Sequence, residues 1–456
     1  MGPPTHDLKL IDGSRVAVIG CGPAGSFFSY FLLEMAERVG LAVDVDIFEP
    51  RDFATPGPTG CNMCGGIISE SLVQHLATVG ITLPSSVVQR GLDSYVLHMD
   101  VGSVRIETPL QEMRIGAVHR GSGPRDLKEA RWESFDYHLQ QRALARGARL
   151  VRGRVDEVTR DGGRLTITQR GGAPVSYDLL AVAVGVNSSV LKIFEALGIG
   201  YERPKVTKTL IREYHLGADV IATTLGSSMH VFLLDIPRLE FAAIIPKGDY
   251  ATVCLLGEDI DNPLVDAFVN TPEVRACMPP DWRPDERSCQ CLPHIAVHGV
   301  DRPFADGIVF VGDCGVTRLY KDGIGAAYRT AKAAARTAVF EGISAEAFRR
   351  SYLPMCRRIT NDNAIGRVAF FATRQVQRMK FARRAMLRMA SNEQGRPGEA
   401  RRLSGVLWDM FSGSAPYRDI FRRMLHPAFV GRLAWSAATA IVRPGGAPKK
   451  PEGART

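Results

Sequence analysis

Apolar and polar residues follow two rhythms along this chain, and their order gives the first view of its fold. The apolar run Arg15-Val-Ala-Val-Ile19 leads into a glycine turn, an apolar helical stretch and a second strand ending in Glu49. That order predicts a βαβ unit with parallel strands. Buried-strand runs recur at Asp178-Leu-Leu-Ala-Val-Ala-Val184 and Asp306-Gly-Ile-Val-Phe-Val311, the latter followed by a glycine turn and an alanine-rich helix. Segments 229–234, 239–245 and 251–256 instead alternate and are rich in β-branched residues, which suits an antiparallel sheet. After Ala345, aromatics and leucines recur among arginines at helical spacing, and this region reads as a helical appendage.

The expected fold is α/β, and the family resemblance carried by the motifs quoted below implies its plan: a doubly wound Rossmann-like domain with an inserted, mostly antiparallel substrate domain. The first is built discontinuously from 12–90, 115–195 and 293–345, and the second from 91–114 and 196–292. Residues 346–443 form the basic helical region, with flexible ends at 1–8 and 444–456.

A length of 456 residues exceeds one compact core, and 45% hydrophobic with 23% charged residues is globular usage. No apolar run reaches the ~20 residues of a membrane span, and the start lacks a charged-then-apolar signal, so a cytoplasmic protein is expected. Nine cysteines in a chain this long are not a secreted disulfide framework, and Cys21, Cys254, Cys277 and Cys356 read as small core residues. The formal charge of +9 is uneven. Residues 349–443 hold 19 Lys and Arg against 5 Asp and Glu, a net +14, leaving about −5 elsewhere. Such helices suit an anionic bilayer or an acidic protein carrier, or equally a solvated face over a small core. Nucleic acid is not the expected partner, because no recognition module accompanies the charge.

Candidate chemistry begins at Gly20-Cys-Gly22-Pro23-Ala24-Gly25. Gly20 permits a tight turn, Gly22 lets the backbone approach a pyrophosphate, and Gly25 lets helix and strand pack closely, while Glu49 is placed for a ribose hydroxyl. A second motif delivers Gly312-Asp313 at the end of a strand and then opens a helix at Gly323-Ile324-Gly325.

These two motifs together resemble the flavoprotein superfamily of p-hydroxybenzoate hydroxylase, geranylgeranyl reductases and flavin-dependent halogenases. The resemblance implies FAD, with Asp313 on the ribityl chain and the helix at Gly323–Gly325 aimed at the flavin pyrimidine edge. A positive helix end there stabilises reduced flavin. It continues through Arg131-Trp-Glu-Ser-Phe135-Asp136-Tyr-His-Leu139, Gly147-Ala148, and the 178–188 strand. There Asn187 stands where the family carries an acid, which weakens the claim of that turn on the cofactor. Arg51 joins the cofactor-binding set. The loop Cys61-Asn-Met-Cys64-Gly65-Gly66-Ile67-Ile68 is similar to the Cys-Gly-Gly-Ile loop of geranylgeranyl reductases, placing Cys64, Gly65 and Gly66 beside the flavin ring. Phe241 and Ala243 stand where reductases and halogenases carry other aromatic patterns, so a halogenase is not expected.

The reaction implied is reduction of a carbon–carbon double bond in an isoprenoid or other lipid, with Cys64, Tyr320 and Lys321 as candidate proton donors or substrate contacts. Only one nucleotide fingerprint is present, so electrons are expected from transient NADPH or from reduced ferredoxin. A flavin monooxygenase or quinone-linked dehydrogenase is the rival within the same enzyme class. A different reading makes Cys61, Cys64, Cys289 and Cys291 the ligands of an iron–sulfur cluster or zinc in an electron-relay subunit. Two redox pairs or unrelated thiols are the other readings of those four residues.

Overall fold

The computed structural model describes residues 8–57, 61, 64–109, 115–124, 127–161, 163–396 and 400–442. Its first sheet has six strands in the order Phe304–Ala305, Ile308–Phe310, Leu179–Val182, Ser14–Ile19, Val43–Phe48, Arg149–Val151. All neighbours run parallel except the first pair. Side chains along Ser14–Ile19 alternate between two cores. Val16 and Val18 pack with Phe27, Phe28 and Phe31 of helix Pro23–Arg38, whereas Ala17 and Ile19 pack with Leu165, Ile167 and Phe194. Burial on both faces explains why these strands read as continuous apolar runs. The helix Gly323–Phe340 lies beside Pro23–Arg38, and its small Ala326, Ala331, Ala334 and Ala335 let the two approach closely.

The second sheet has seven strands in the order Cys289–Cys291, Leu210–His215, Tyr250–Gly257, Leu239–Lys247, Ser228–Phe232, Ser94–Met99, Gly102–Glu107. It is antiparallel except where Ser228–Phe232 meets Ser94–Met99. The fold class expected from the pattern is therefore the one observed. One face, with Leu210, Phe232, Ala242 and Leu255, is covered by helices from 218–275. The other carries Ile211, Met229, Phe241, Ala243, Ile245 and Cys254.

That second face corrects the reading of the C-terminal region as an appendage. Its helices Leu353–Arg378, Lys380–Gln394, Arg402–Ser412, Tyr417–Met424 and Pro427–Val442 supply Phe370, Leu387, Leu407, Trp408, Phe411, Tyr417 and Phe429 to the core of the seven-stranded sheet, while Ala345–Ser351 packs Phe348 into the core of the six-stranded one. Trp408 is fully buried, its ring 4.7 Å from that of Tyr95. Several of its arginines are spent inside the molecule: Arg383 is buried against Asp100 at 2.6 Å, Arg374 pairs with Glu240 and Glu258, and Arg423 pairs with Asp409. Amphipathic helices cannot show in sequence which apolar face they cover, so the core on this side was missed. Leu8, read as part of a flexible start, is held by the Ile343 N–H on its carbonyl at 2.7 Å; the remainder of both expected flexible ends lies outside the described residues.

Candidate functional site

The first glycine turn is built as its spacing implies. Gly20 has φ +95°, and a Cβ there would meet the Ala183 carbonyl oxygen at 2.7 Å. A Cβ on Gly25 would come within 1.9 Å of the Gly20 carbonyl oxygen, so only glycine lets the helix start here. At Gly22 the nearest atom to such a Cβ is Arg120 Nη2 at 3.5 Å, leaving the backbone open toward the cavity. Glu49, 2% exposed, accepts the Cys21 N–H on Oε2 at 3.0 Å and the Arg51 N–H on Oε1 at 3.1 Å. Arg51 also donates its Nε to Oε1 at 3.0 Å.

Arg120 was not singled out in the sequence. It follows the strand Ile115–Val118 and donates Nε and Nη2 to the two oxygens of Asp136 at 2.9 and 2.7 Å. Burial lowers the Arg120 pKa, but the charge and bonds of Asp136 more than offset this and raise it, with Cys64 and Asp313 contributing. A fixed cation thus stands between the phosphate-type turn and Asp313. Arg131, part of the quoted motif, instead pairs with Asp249 near the surface at 3.1 Å and does not line the cavity. The sequence signal for Arg120 was a basic residue directly after a strand whose next helix begins Phe135-Asp136.

The second motif closes the same site. Gly312 has φ +71° and lies against Ala24, where a Cβ would meet the alanine methyl at 2.8 Å. Burial raises the carboxyl of Asp313, partly countered by Thr317 and Arg120. The helix starting at Gly323 presents its first turn to the cavity. Just before it the backbone is strained: Tyr320 and Asp322, on either side of Lys321, have φ of 58° and 54°. C-terminal side chains hold this loop. Asn363 accepts the Leu319 N–H at 2.9 Å and donates to the Thr317 carbonyl at 2.8 Å, while Tyr417 donates its hydroxyl to the Leu319 carbonyl.

Lys321 also lines the cavity. Its Nζ lies 4.0 Å from the centre of the Phe241 ring and 5.6 Å from that of Phe411. Burial pushes its ammonium down to about 7, with only Cys254 acting to raise it. Tyr320, whose ring packs on Phe370 at 5.1 Å, is pushed up to about 12 by burial. The cavity that joins these parts has a volume of about 330 Å³ and runs from Gly22 and Arg120 to an apolar wall that includes Ile211, Met229, Phe241 and Leu256.

Cys64, Gly65 and Gly66 line this cavity. A Cβ on Gly66 would meet the Val118 carbonyl oxygen at 1.9 Å and one on Gly65 would meet Cys254 Sγ at 2.9 Å, so packing against the protein itself requires both glycines. Asn187 bonds both backbone groups of His294 at 2.9 Å and staples one cavity rim to the other.

The four cysteines do not close into a ligand set. Cys289 and Cys291 are two residues apart on one edge strand, which spaces them by roughly 6–7 Å along it. The thiol of Cys61 adds to the burial that raises Cys291, so those two residues do approach. Among the described residues, the group of at least three His, Cys, Asp or Glu donors within 4.8 Å of one another is His98, His230 and Cys277. No disulfide forms among the described residues.

No family model matches the chain, and no curated protein matches it. Solved structures do. A geranylgeranyl bacteriochlorophyll reductase-like protein from Thermoplasma acidophilum is 17% identical with a TM-score of 0.63, covering 93% of this chain and 100% of its own. A p-nitrophenol 4-monooxygenase from Pseudomonas putida is 12% identical with a TM-score of 0.56, covering 90% and 100%. The halogenase PltM in complex with FAD is 12% identical with a TM-score of 0.57, covering 96% and 93%. The chain thus has the fold shared by FAD-dependent reductases and monooxygenases.

Proposed function

We propose that this chain is an FAD-dependent oxidoreductase that reduces a carbon–carbon double bond in an isoprenoid or similar lipid. The observation that carries the reading is a single cavity in which a dinucleotide cradle meets an apolar wall, with an amine at the junction. The residues present fit the cofactor. Gly22 leaves the backbone open beside the Arg120 guanidinium for a pyrophosphate, Asp313 is a half-buried carboxyl on the cavity wall suited to a polyol chain, and the helix at Gly323 offers N–H groups to an electron-rich ring edge. FAD, when bound, supplies hydride to the substrate.

The chain's own residues do the rest. Ile211, Met229 and Phe241 exclude water and hold an apolar chain against the sheet. Lys321, an ammonium below about pH 7, holds a proton for the carbon next to the one that receives hydride. Cys64 lies in the loop at the cradle end and is the second proton-bearing group there. Electrons come from transiently bound NADPH or from an acidic carrier such as ferredoxin. The test is anaerobic: chemically reduced enzyme is mixed with a geranylgeranyl lipid and the product weighed. A gain of two hydrogens is expected. In a parallel aerobic assay, substrate-coupled oxygen uptake with a product carrying one added oxygen would replace this reading by a hydroxylase, which the fold also hosts.

The C-terminal helices fit a lipid substrate in a further way. Phe370 faces inward, its ring 6.1 Å from that of Phe241, while the next residue, Phe371, is 60% exposed. Val368, Met379 and Phe381 are exposed near it, with Arg367, Arg378 and Lys380 among them. Exposed apolar side chains interspersed with cations match an anionic bilayer surface. Replacing Arg378 and Lys380 by Gln is expected to weaken binding to phosphatidylglycerol vesicles by about thirtyfold, at about 1 kcal/mol per cation. Equal sedimentation of the wild type with neutral and anionic vesicles would remove the bilayer from this proposal.

A further inference from the structure

The face of the seven-stranded sheet turned away from the cavity carries a cluster that the proposed reaction does not use. His98 and His230 lie on the adjacent parallel strands Ser94–Met99 and Ser228–Phe232, and Cys277 follows the short helix Pro272–Arg275. Their donor atoms all lie within 4.8 Å of one another. His98 Nε2 is 3.0 Å from His230 Nδ1 and 3.5 Å from Cys277 Sγ. The three residues are 8%, 7% and 7% exposed.

The protons of the cluster run along one line of contacts. His230 Nε2 faces the Leu225 carbonyl at 3.3 Å and donates to it, which leaves the Nδ1 lone pair facing His98. His98 then carries its proton on Nε2 and gives it to His230 Nδ1 at 3.0 Å, because with the proton on Nδ1 two nitrogen lone pairs would oppose each other. The single Cys277 thiol proton serves either the Glu273 carbonyl at 3.2 Å or the His98 Nδ1 lone pair at 3.9 Å. Three metal-ligating side chains therefore converge in a buried place where few protons hold them together.

We propose that His98 Nε2, His230 Nδ1 and Cys277 Sγ bind a zinc(II) ion. Two neutral imidazoles and a thiolate are the ligand types zinc takes, and tetrahedral bonds of about 2.0–2.1 Å to nitrogen and 2.3 Å to sulfur put donors roughly 3.3–3.6 Å apart. The separation of His98 Nε2 from Cys277 Sγ, 3.5 Å, already fits; the nitrogen pair opens by a few tenths of an ångström, and His230 Nδ1, within 4.8 Å of the sulfur, closes on it. Binding releases the thiol proton and moves the His98 proton to Nδ1, where it faces the new thiolate. The bond from His230 Nε2 to Leu225 orients that ligand in the way metal-bound imidazoles are usually oriented. Glu273, the charged group that acts on the Cys277 thiol, balances the remaining positive charge, and a water takes the fourth position. The ion then joins two strands to the 272–278 segment, as a structural tie remote from the cavity. Ligands 132 and 47 positions apart form no sequence motif, so nothing in the spacing announces them.

The test uses the full-length protein after dialysis against chelator, with cobalt(II) as the probe and zinc as competitor. One cobalt per chain with a thiolate-to-cobalt absorption band is expected, bleached by zinc. Cys277→Ser should abolish the band and His98→Gln should weaken binding by at least about tenfold, whereas Cys356→Ser, a buried thiol elsewhere, should retain both. Zinc should also raise the wild-type melting temperature and leave that of Cys277→Ser unmoved. Absence of the band in the wild type, or its survival in Cys277→Ser, would overturn the proposal. Because the readout is metal absorption and melting, it stands or falls separately from the flavin reaction.

Discussion

Replacing Lys321 by Met should lower turnover by about 10²–10⁴-fold, the usual worth of a positioned proton donor, and at the same time make the protein more stable. Both effects follow from one location. The ammonium is held by the faces of Phe241 and Phe411, with no carboxylate within ion-pair distance among the described residues, and burial lowers it from 10.5 to about 7. The folded chain therefore releases this proton near pH 7 while the unfolded chain keeps it until about 10.5. Between those values the unfolded state binds more protons, so the Lys321 contribution to stability rises with pH; below about 7 its penalty is constant and at its largest. A Met of similar length removes the penalty, roughly 2–4 kcal/mol at pH 7. For catalysis the sign is opposite. A proton donor must be charged, so wild-type turnover should fall as pH rises through about 7, and the Met variant should lose that limb. Urea melts and a pH–rate profile read both. A Met variant that is slower but keeps the wild-type profile would show that Lys321 does not deliver the proton.

Arg120→Met is the second large change. It leaves Asp136, fully buried, without its bidentate partner, and breaking such a pair costs about 3–5 kcal/mol. It also removes the cation beside Gly22, so the purified variant should carry little flavin. The double variant Arg120→Met with Asp136→Leu separates the two roles: stability should return because no charge is left unpaired, while flavin content should stay low. Full flavin in the double variant would reduce Arg120 to a structural partner of Asp136.

What the sequence shows of this molecule is what is local in it. Gly20, Gly22 and Gly25 follow a strand and open a helix within a dozen residues, and Gly312-Asp313 likewise ends a strand ahead of the helix at Gly323, so both halves of the cradle are visible as spacing. Arg120 was hidden because its role depends on Asp136, sixteen residues on, and on Gly22, about a hundred residues back. The alternating strands announced a sheet but not what covers it. Trp408 and Phe411 read as one more amphipathic helix, and only their packing on Tyr95 and Phe241 turns that helix into a wall of the site. Arginines counted as surface charge, such as Arg383, are buried against acids from other segments. Asn363 and Tyr417, which hold the backbone around Lys321, belong to a region whose composition suggested only charge.

The adjacent residues Phe370 and Phe371 point one into the core beside Phe241 and the other to the outside, on a single helix of 26 residues. A rigid rod read from both sides makes its two faces thermodynamic partners. If filling the cavity displaces Phe370 and so alters the grip of the outer face on a bilayer, then by reciprocity the bilayer alters the affinity of the cavity by the same factor. A lipid-reducing enzyme with this geometry would bind its substrate best where that substrate is stored.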